Sequence, residues 1–424
     1  MTRAPSRLGT FVALWLAELV SLTGTAMTGF ALGVWVYRTT GSATHFAGVV
    51  TVLYLPQVLV TLVGGVLADR YSRRRLILLA NAGGAAVLAA LAVLVAADAL
   101  SVALVYAVTF LVATCGAIQY PAFASSVPQL VPERLLPRAN SMVQMANASS
   151  RLLAPALAAG LLPLVGILGV VLIDLVTFAA MVAVLVVIRI PQPAATGQAT
   201  GVRRILSDVA AGWAYISRER GLLILLGFFS IANIAAGFTL ALLPPLVLEF
   251  GTQADLGFIL SAEGLGWLAG AILMIVWGGP RRRVHGVLGA GIVFGIGIAV
   301  LGVRAAVPVV AAGVLVYALA LPVINACNAT IWQAKVPADM LGRAFATLRV
   351  VALASVPVSA LTAGVLADAV FTPLLGEERG IAGLLITVGI LPIAAGVATY
   401  LSRHVRDLER EPAPAPAPTA GAGR

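Results

Sequence analysis

Apolar runs of about 20 residues recur along the whole of this chain, and they leave few architectures open. As a helix, a run of that length crosses the roughly 30 Å hydrocarbon core of a bilayer. In lipid, peptide groups have to pair with one another, so only helices and closed barrels span. Barrel strands read as alternating segments of about 10 residues, and these runs do not alternate. Composition points the same way. Charged residues make up 10% of the chain, against about 25% in soluble domains, and mean hydropathy is +1.02. The expected fold is an all-α polytopic membrane protein whose main solvent is lipid.

Twelve spans are expected, at 11–37, 44–68, 76–97, 101–127, 138–163 and 166–190, then 221–249, 255–279, 285–304, 307–332, 344–369 and 381–401. They divide into a first six-helix bundle over 1–190 and a second over 221–403. Between them, 191–201 reads as a linker. Ile205, Leu206, Val209, Trp213 and Ile216 then recur at helical spacing between charged residues, as in an amphipathic helix lying at a membrane surface. The tail from 404 ends in alternating Ala and Pro and is expected to be disordered. The net charge is +10, carried almost wholly by arginine. Arginines crowd the loops on the side of the two termini, and few stand on the other side. The positive-inside rule therefore places both termini in the cytoplasm.

The chain also repeats itself. Val131-Pro132, Leu136, Arg138 and Ala139 match Val336-Pro337, Leu341, Arg343 and Ala344 at a constant offset, after spans 4 and 10. Arginine triplets follow spans 2 and 8, at 73–75 and 281–283. Two bundles of like topology, pseudo-symmetric and in the same orientation, are the plan of transporters whose halves rock about a midplane site.

The segment Gly65-Val66-Leu67-Ala68-Asp69-Arg70 with Arg73, Arg74 and Arg75 resembles the signature after span 2 of the major facilitator superfamily. Ser72 stands where many members have glycine. Tyr120-Pro121-Ala122-Phe123, Ala139-Asn140-Ser141 and Gln333-Ala334-Lys335-Val336-Pro337 are similar to a branch of macrolide-efflux-like and siderophore-exporter-like proteins. Span 5 reads Ala154-Pro155 where drug/proton antiporters often carry Gly-Pro. The resemblance implies export across a bacterial cytoplasmic membrane by alternating access. It also implies that Asp69 engages the start of span 11, with Arg70, Arg73, Arg138 and Arg343 sharing the gating loops.

Ionisable residues inside spans are expensive and mark function by default. Glu18 lies about 9 Å from the midpoint of span 1, on the side of the termini. A carboxylic acid there is suited to carrying a proton, pairing with a cationic substrate, or bonding to a neighbouring helix. Glu263 in span 8, a further proton-coupling candidate, and Arg151 in span 5 are expected to face each other across the two halves. Asp174 in span 6 is a proton-coupling candidate better suited to a structural hydrogen bond. Asp368, at the end of span 11, is expected to be solvated. Trp35, Gln119, Phe228, Phe229, Asn233, Asn325, Asn328 and Trp332 are candidate cavity residues.

The scattered histidines and the two cysteines form no metal pattern, no nucleotide signature is present, and no basic face suggests nucleic acid. We expect no enzyme and no cofactor. A monomer in lipid is expected to move a hydrophobic or amphipathic small molecule, with a proton gradient as the energy source. Facilitated diffusion or uptake (lipid handling included) and a non-transporting receptor remain alternatives.

Overall fold

The structure is a computed structural model that describes residues 8–70, 72–188 and 202–407, without the side chains of 61–70, Glu133, Pro137, 202–206, Ala338 and Asp339. The linker 191–201 and the tail beyond 407 lie outside the described residues. The regular elements described are all helical. The first half comprises α1 (Leu8–Thr40), α2 (Ala43–Arg70), α3 (Arg73–Ala96), α4 (Val102–Leu130) and α5 (Leu136–Val187). The connecting helix α6 (Val202–Arg218) follows. The second half comprises α7 (Arg220–Phe250), α8 (Gln253–Trp277), α9 (Arg283–Leu301), α10 (Val307–Lys335), α11 (Ala338–Leu366), α12 (Thr372–Leu375) and α13 (Gly380–Leu401), before a short α14 (Arg403–Asp407). A π-helical turn, Ala367–Phe371, joins α11 to α12.

Eleven helices are long and apolar enough to cross a membrane. One of them, Arg138–Val187, has 50 residues and would run about 75 Å if straight, more than twice a bilayer core. It turns back at Gly166, whose φ of 66° and ψ of −177° are not helical. The two arms are separate spans, so twelve cross in all. Side chains start several helices where the backbone has no internal partner. Ser72 accepts from the Arg75 amide, Ser101 accepts from Leu104, and Thr252 and Asp255 cap α8 reciprocally.

Within the first half α1 packs on α5, α3 on α4 and α5, and α2 on α4. Within the second, α9 packs on α10 and α13, and α10 on α8. The halves meet where α2 lies along α11 and α5 along α8. These seams do not run evenly from face to face. The large core of the second half takes in Val34 and Tyr37 of α1 and Ala43, Phe46, Ala47 and Val50 of α2. Those residues belong to the ends away from the termini, here called the far face. Toward the termini, Phe11, Leu14, Leu76, Ile77, Val127 and Leu130 form a cluster of first-half residues only. Along α5 and α8, Ser261 donates to the Leu152 carbonyl at 2.9 Å, at mid-depth. The ties described between the two halves thus gather at the far face and at mid-depth.

The connecting helix belongs mechanically to the second half. Arg343 of α11 pairs with Asp208 of α6 at 3.2 Å, and the Thr347 hydroxyl donates to the Val209 carbonyl at 3.0 Å. Ile216 is buried and Trp213 is half exposed, as an amphipathic helix on a surface requires.

Gly166 occupies backbone space that is essentially closed to other residues, so Gly166→Ala is expected to cost about 1–3 kcal/mol. Gly160, helical and with open space beside it, is the control, and its alanine variant should lose nothing. Thermal unfolding of the purified protein in detergent distinguishes the two.

Candidate functional site

Glu18, the carboxyl of α1, is only 4% exposed. Its Oε2 accepts from Gln119 Nε2 of α4 at 2.7 Å. Around the pair lies a narrow pocket walled by Trp15 and Leu22 of α1, Tyr120 and Phe123 of α4, and Val143, Ala146 and Asn147 of α5. Trp15 is fixed by its Nε1, which donates to the Met142 carbonyl at 2.6 Å. Tyr120 is 43% exposed and forms the open side. No cation is among the wall residues. An acid whose partner is an amide can lose or gain a proton without breaking an ion pair. Both Glu18 and Gln119 stood out in the sequence, but their direct bond did not.

Asp174 has a different setting. It is fully buried on the second arm of α5 and faces α1. Thr28 donates to Oδ2 at 2.8 Å and Thr25 to Oδ1 at 3.4 Å, while Thr177, 3.3 Å from Oδ1, donates to the Asp174 backbone carbonyl at 2.7 Å. Two hydroxyls of α1 thus hold one carboxyl inside the first half, as a structural bond would.

Glu263 and Arg151 stand on the facing helices α8 and α5 and feel each other's charge. They do not form the expected direct pair. Glu263 is instead bonded by the Tyr317 hydroxyl of α10, and Arg151 is exposed. The exchange of partner has a physical consequence. Breaking a buried ion pair costs about 3–5 kcal/mol, and a hydrogen bond between neutral groups contributes about 1 kcal/mol. Tyr317 therefore holds Glu263 without locking the two halves.

The remaining candidates disperse. Phe228 and Trp332 lie in the closed core of the second half rather than on an open wall, and Trp332 donates to Asn328 Oδ1 at 3.0 Å. Phe229 is half-buried against that core, and Asn233 donates to the Phe229 carbonyl in its own helix. Asn325 is exposed. Trp35 packs on the far-face cluster of the first half. Arg73 Nη1 donates to the Ser125 carbonyl at 2.6 Å and Arg74 to those of Leu185 and Val186, which ties the start of α3 to α4 and α5. Arg138 is exposed. Asp69 and Arg70 end α2, and their side chains lie outside the described residues.

Asp368 corrects the expectation of a solvated acid. It accepts from the Ser42 hydroxyl at 2.6 Å and from the amides of Ala43 and Thr44 at 3.2 and 2.9 Å, across the far-face seam. Ser42, in turn, accepts from the His45 amide. Beside it Tyr37 of α1 donates to Glu249 of α7. A signal for Asp368 was present in the sequence: Gly-Val-Leu-Ala-Asp at 65–69 returns at 364–368.

Two like helical bundles tied to each other at the far face are the frame in which the relatives of this chain are read. The family model of the Major Facilitator Superfamily matches residues 14–360. The chain belongs to that superfamily. It is a membrane transporter and not an enzyme. Macrolide efflux protein A of Streptococcus pyogenes is 22% identical over 362 residues, which cover 84% of this chain and 89% of that protein. The multidrug efflux pump Tap of Mycolicibacterium fortuitum is 22% identical over 418 residues, covering 95% and 97%. Among solved structures, a bacterial homolog of the human lysosomal transporter Spinster, inward-facing and unoccupied, superposes with a TM-score of 0.75 at 12% identity, over 96% of this chain and 99% of that one. At that identity the likeness speaks for the fold.

Asp174→Ala is expected to strand the hydroxyls of Thr25 and Thr28 and cost about 1–3 kcal/mol. Asp174→Asn, which keeps an acceptor, should cost less and retain transport. Unfolding temperature and flux measured on the same preparations check both.

Proposed function

We propose that this transporter exports hydrophobic or amphipathic small molecules, of drug, macrolide or siderophore-like kind, from the bacterial cytoplasm in exchange for protons. The observation that carries the reading is the Glu18–Gln119 pair, an enclosed acid bonded to an amide beside an aromatic wall. The efflux relatives supply the direction of transport.

The arginine-rich loops put the face of the termini in the cytoplasm. With the halves tied to each other at the far face, the arrangement is then the inward-facing one. Substrate enters from the cytoplasm or the inner leaflet, with its apolar part against Trp15, Tyr120 and Phe123. Glu18 gives its proton to cytoplasmic water as substrate arrives and takes one from the outside after substrate leaves. Gln119 holds the carboxyl in place in both forms, because an amide can donate to an ionised or a neutral acid. Glu263, released from Tyr317 and approached by Arg151, is suited to a second arrangement of the two halves.

Proteoliposomes with and without a pH gradient test the coupling. Glu18→Gln is expected to abolish gradient-driven flux, while exchange of labelled for unlabelled substrate without a gradient persists. Flux indifferent both to the gradient and to this substitution means facilitated diffusion instead. Binding without flux means a receptor.

A further inference from the structure

The seam between α2 and α11 carries one motif twice. Gly65-Val66-Leu67-Ala68-Asp69 ends α2, and Gly364-Val365-Leu366-Ala367-Asp368 spans the end of α11 and the start of the π-helical turn. The two helices lie side by side and run in opposite directions, so the copies stand at opposite faces of the membrane. The second copy ends α11 beside the beginning of α2.

The far-face copy is engaged. The first amides of a helix have no internal partner and carry the positive end of its dipole. At the start of α2, Asp368 takes the amides of Ala43 and Thr44 together with the Ser42 hydroxyl, and Ser42 Oγ takes the amide of His45. A carboxylate of the second half therefore completes the helix cap of the first. Gly364 makes the approach possible, since a Cβ there would lie 2.7 Å from the Cα of Thr44 and from the Cβ of Ala47. About two helical turns further along, the Thr51 hydroxyl, which donates to the Ala47 carbonyl of its own helix at 2.8 Å, lies 3.3 Å from the Pro357 carbonyl. At the opposite face, α11 begins at Pro337, which makes no side-chain cap bond. It is the start next to which the other copy, ending in Asp69, terminates α2.

We propose that Asp368 is a latch for the inward-facing state, the counterpart of Asp69, and that the paired Gly-Val-Leu-Ala-Asp segments form a two-ended toggle on one helix pair. Closing the far face caps α2 with Asp368. Opening it frees Asp368 to water and brings Asp69 toward the start of α11. Because the same kind of bond is made at each end, neither state gains a large advantage, and substrate and protons can decide between them. Asp368 is a positioning residue in this scheme, and it touches neither substrate nor proton path. The inference rests on the alternating-access part of the proposed function and is independent of what is carried or of proton coupling.

The test is a distance measurement between spin labels in lipid nanodiscs, with Cys115 and Cys327 replaced by alanine. Thr39→Cys with Leu374→Cys reports the far face, and Gln144→Cys with Gln333→Cys reports the face of the termini. All four positions are exposed. Asp368→Asn keeps the shape and removes the charge. It should shift the population toward an open far face by roughly 3- to 30-fold, the range of a charge at a helix start. Asp368→Ala should shift it at least as far, Asp69→Asn should shift it the other way, and the double Asn variant should return near the starting ratio. If the starting protein shows two states and neither Asp368 variant changes their ratio, or both move it in the direction of Asp69→Asn, the latch is wrong while alternating access stands. A single far-face distance in every protein, with and without a pH gradient, overturns the latch and alternating access together.

Discussion

Lipid offers no hydrogen bonds, and the structure follows from that constraint. Every peptide group inside the bilayer has to find a partner in the protein. Twelve helices supply those partners along their length, but each helix start still leaves amides over. Where the chain surfaces, serine and threonine caps and water deal with them. At the start of α2 the need is met from the other half of the molecule, by Asp368. A local requirement of one helix thereby becomes a tie between two domains.

The same scarcity of partners explains the polar groups inside the spans. Asp174 is surrounded by three hydroxyls, Glu18 by one amide in an apolar wall, and Glu263 by a tyrosine. These are graded environments. The first is saturated and holds two helices of one half together. The second is sparse, a single amide in an apolar wall. The third spans helices of the second half and lies within the field of Arg151 on the first. Chemistry tied to motion belongs to the less saturated sites.

The positions of the spans were legible because hydropathy alone sets them, and the corner near 166 was legible because a 50-residue apolar run cannot be one span. The amphipathic character of α6 was legible because water and protein present that helix with contrasting surroundings. Within the spans this contrast disappears. A phenylalanine turned to lipid, to a cavity or to a neighbouring helix looks alike in sequence, so Phe228 and Trp332 were placed on a wall and are core residues instead. Glu18 and Gln119 were each visible as polar groups in apolar runs, but their bond spans more than a hundred residues and depends on how α1 faces α4. Asp368 lay at a span end, where an acid is ordinarily wet. Only its repeated neighbours distinguish it.

The fastening of α6 to α11 moves the mechanical boundary of this protein away from its sequence midpoint. Through Asp208–Arg343 and Thr347–Val209 the connecting helix rides with the second half. In a rocking cycle the covalent join between the moving bodies is therefore the stretch between Ile188 and Val202, not the whole polar segment. A partner or modification that gripped the outer face of α6, where Trp213 is exposed, would be holding one of the two rigid bodies by a handle. Force or binding energy applied there would reach the carrier as torque on the second half.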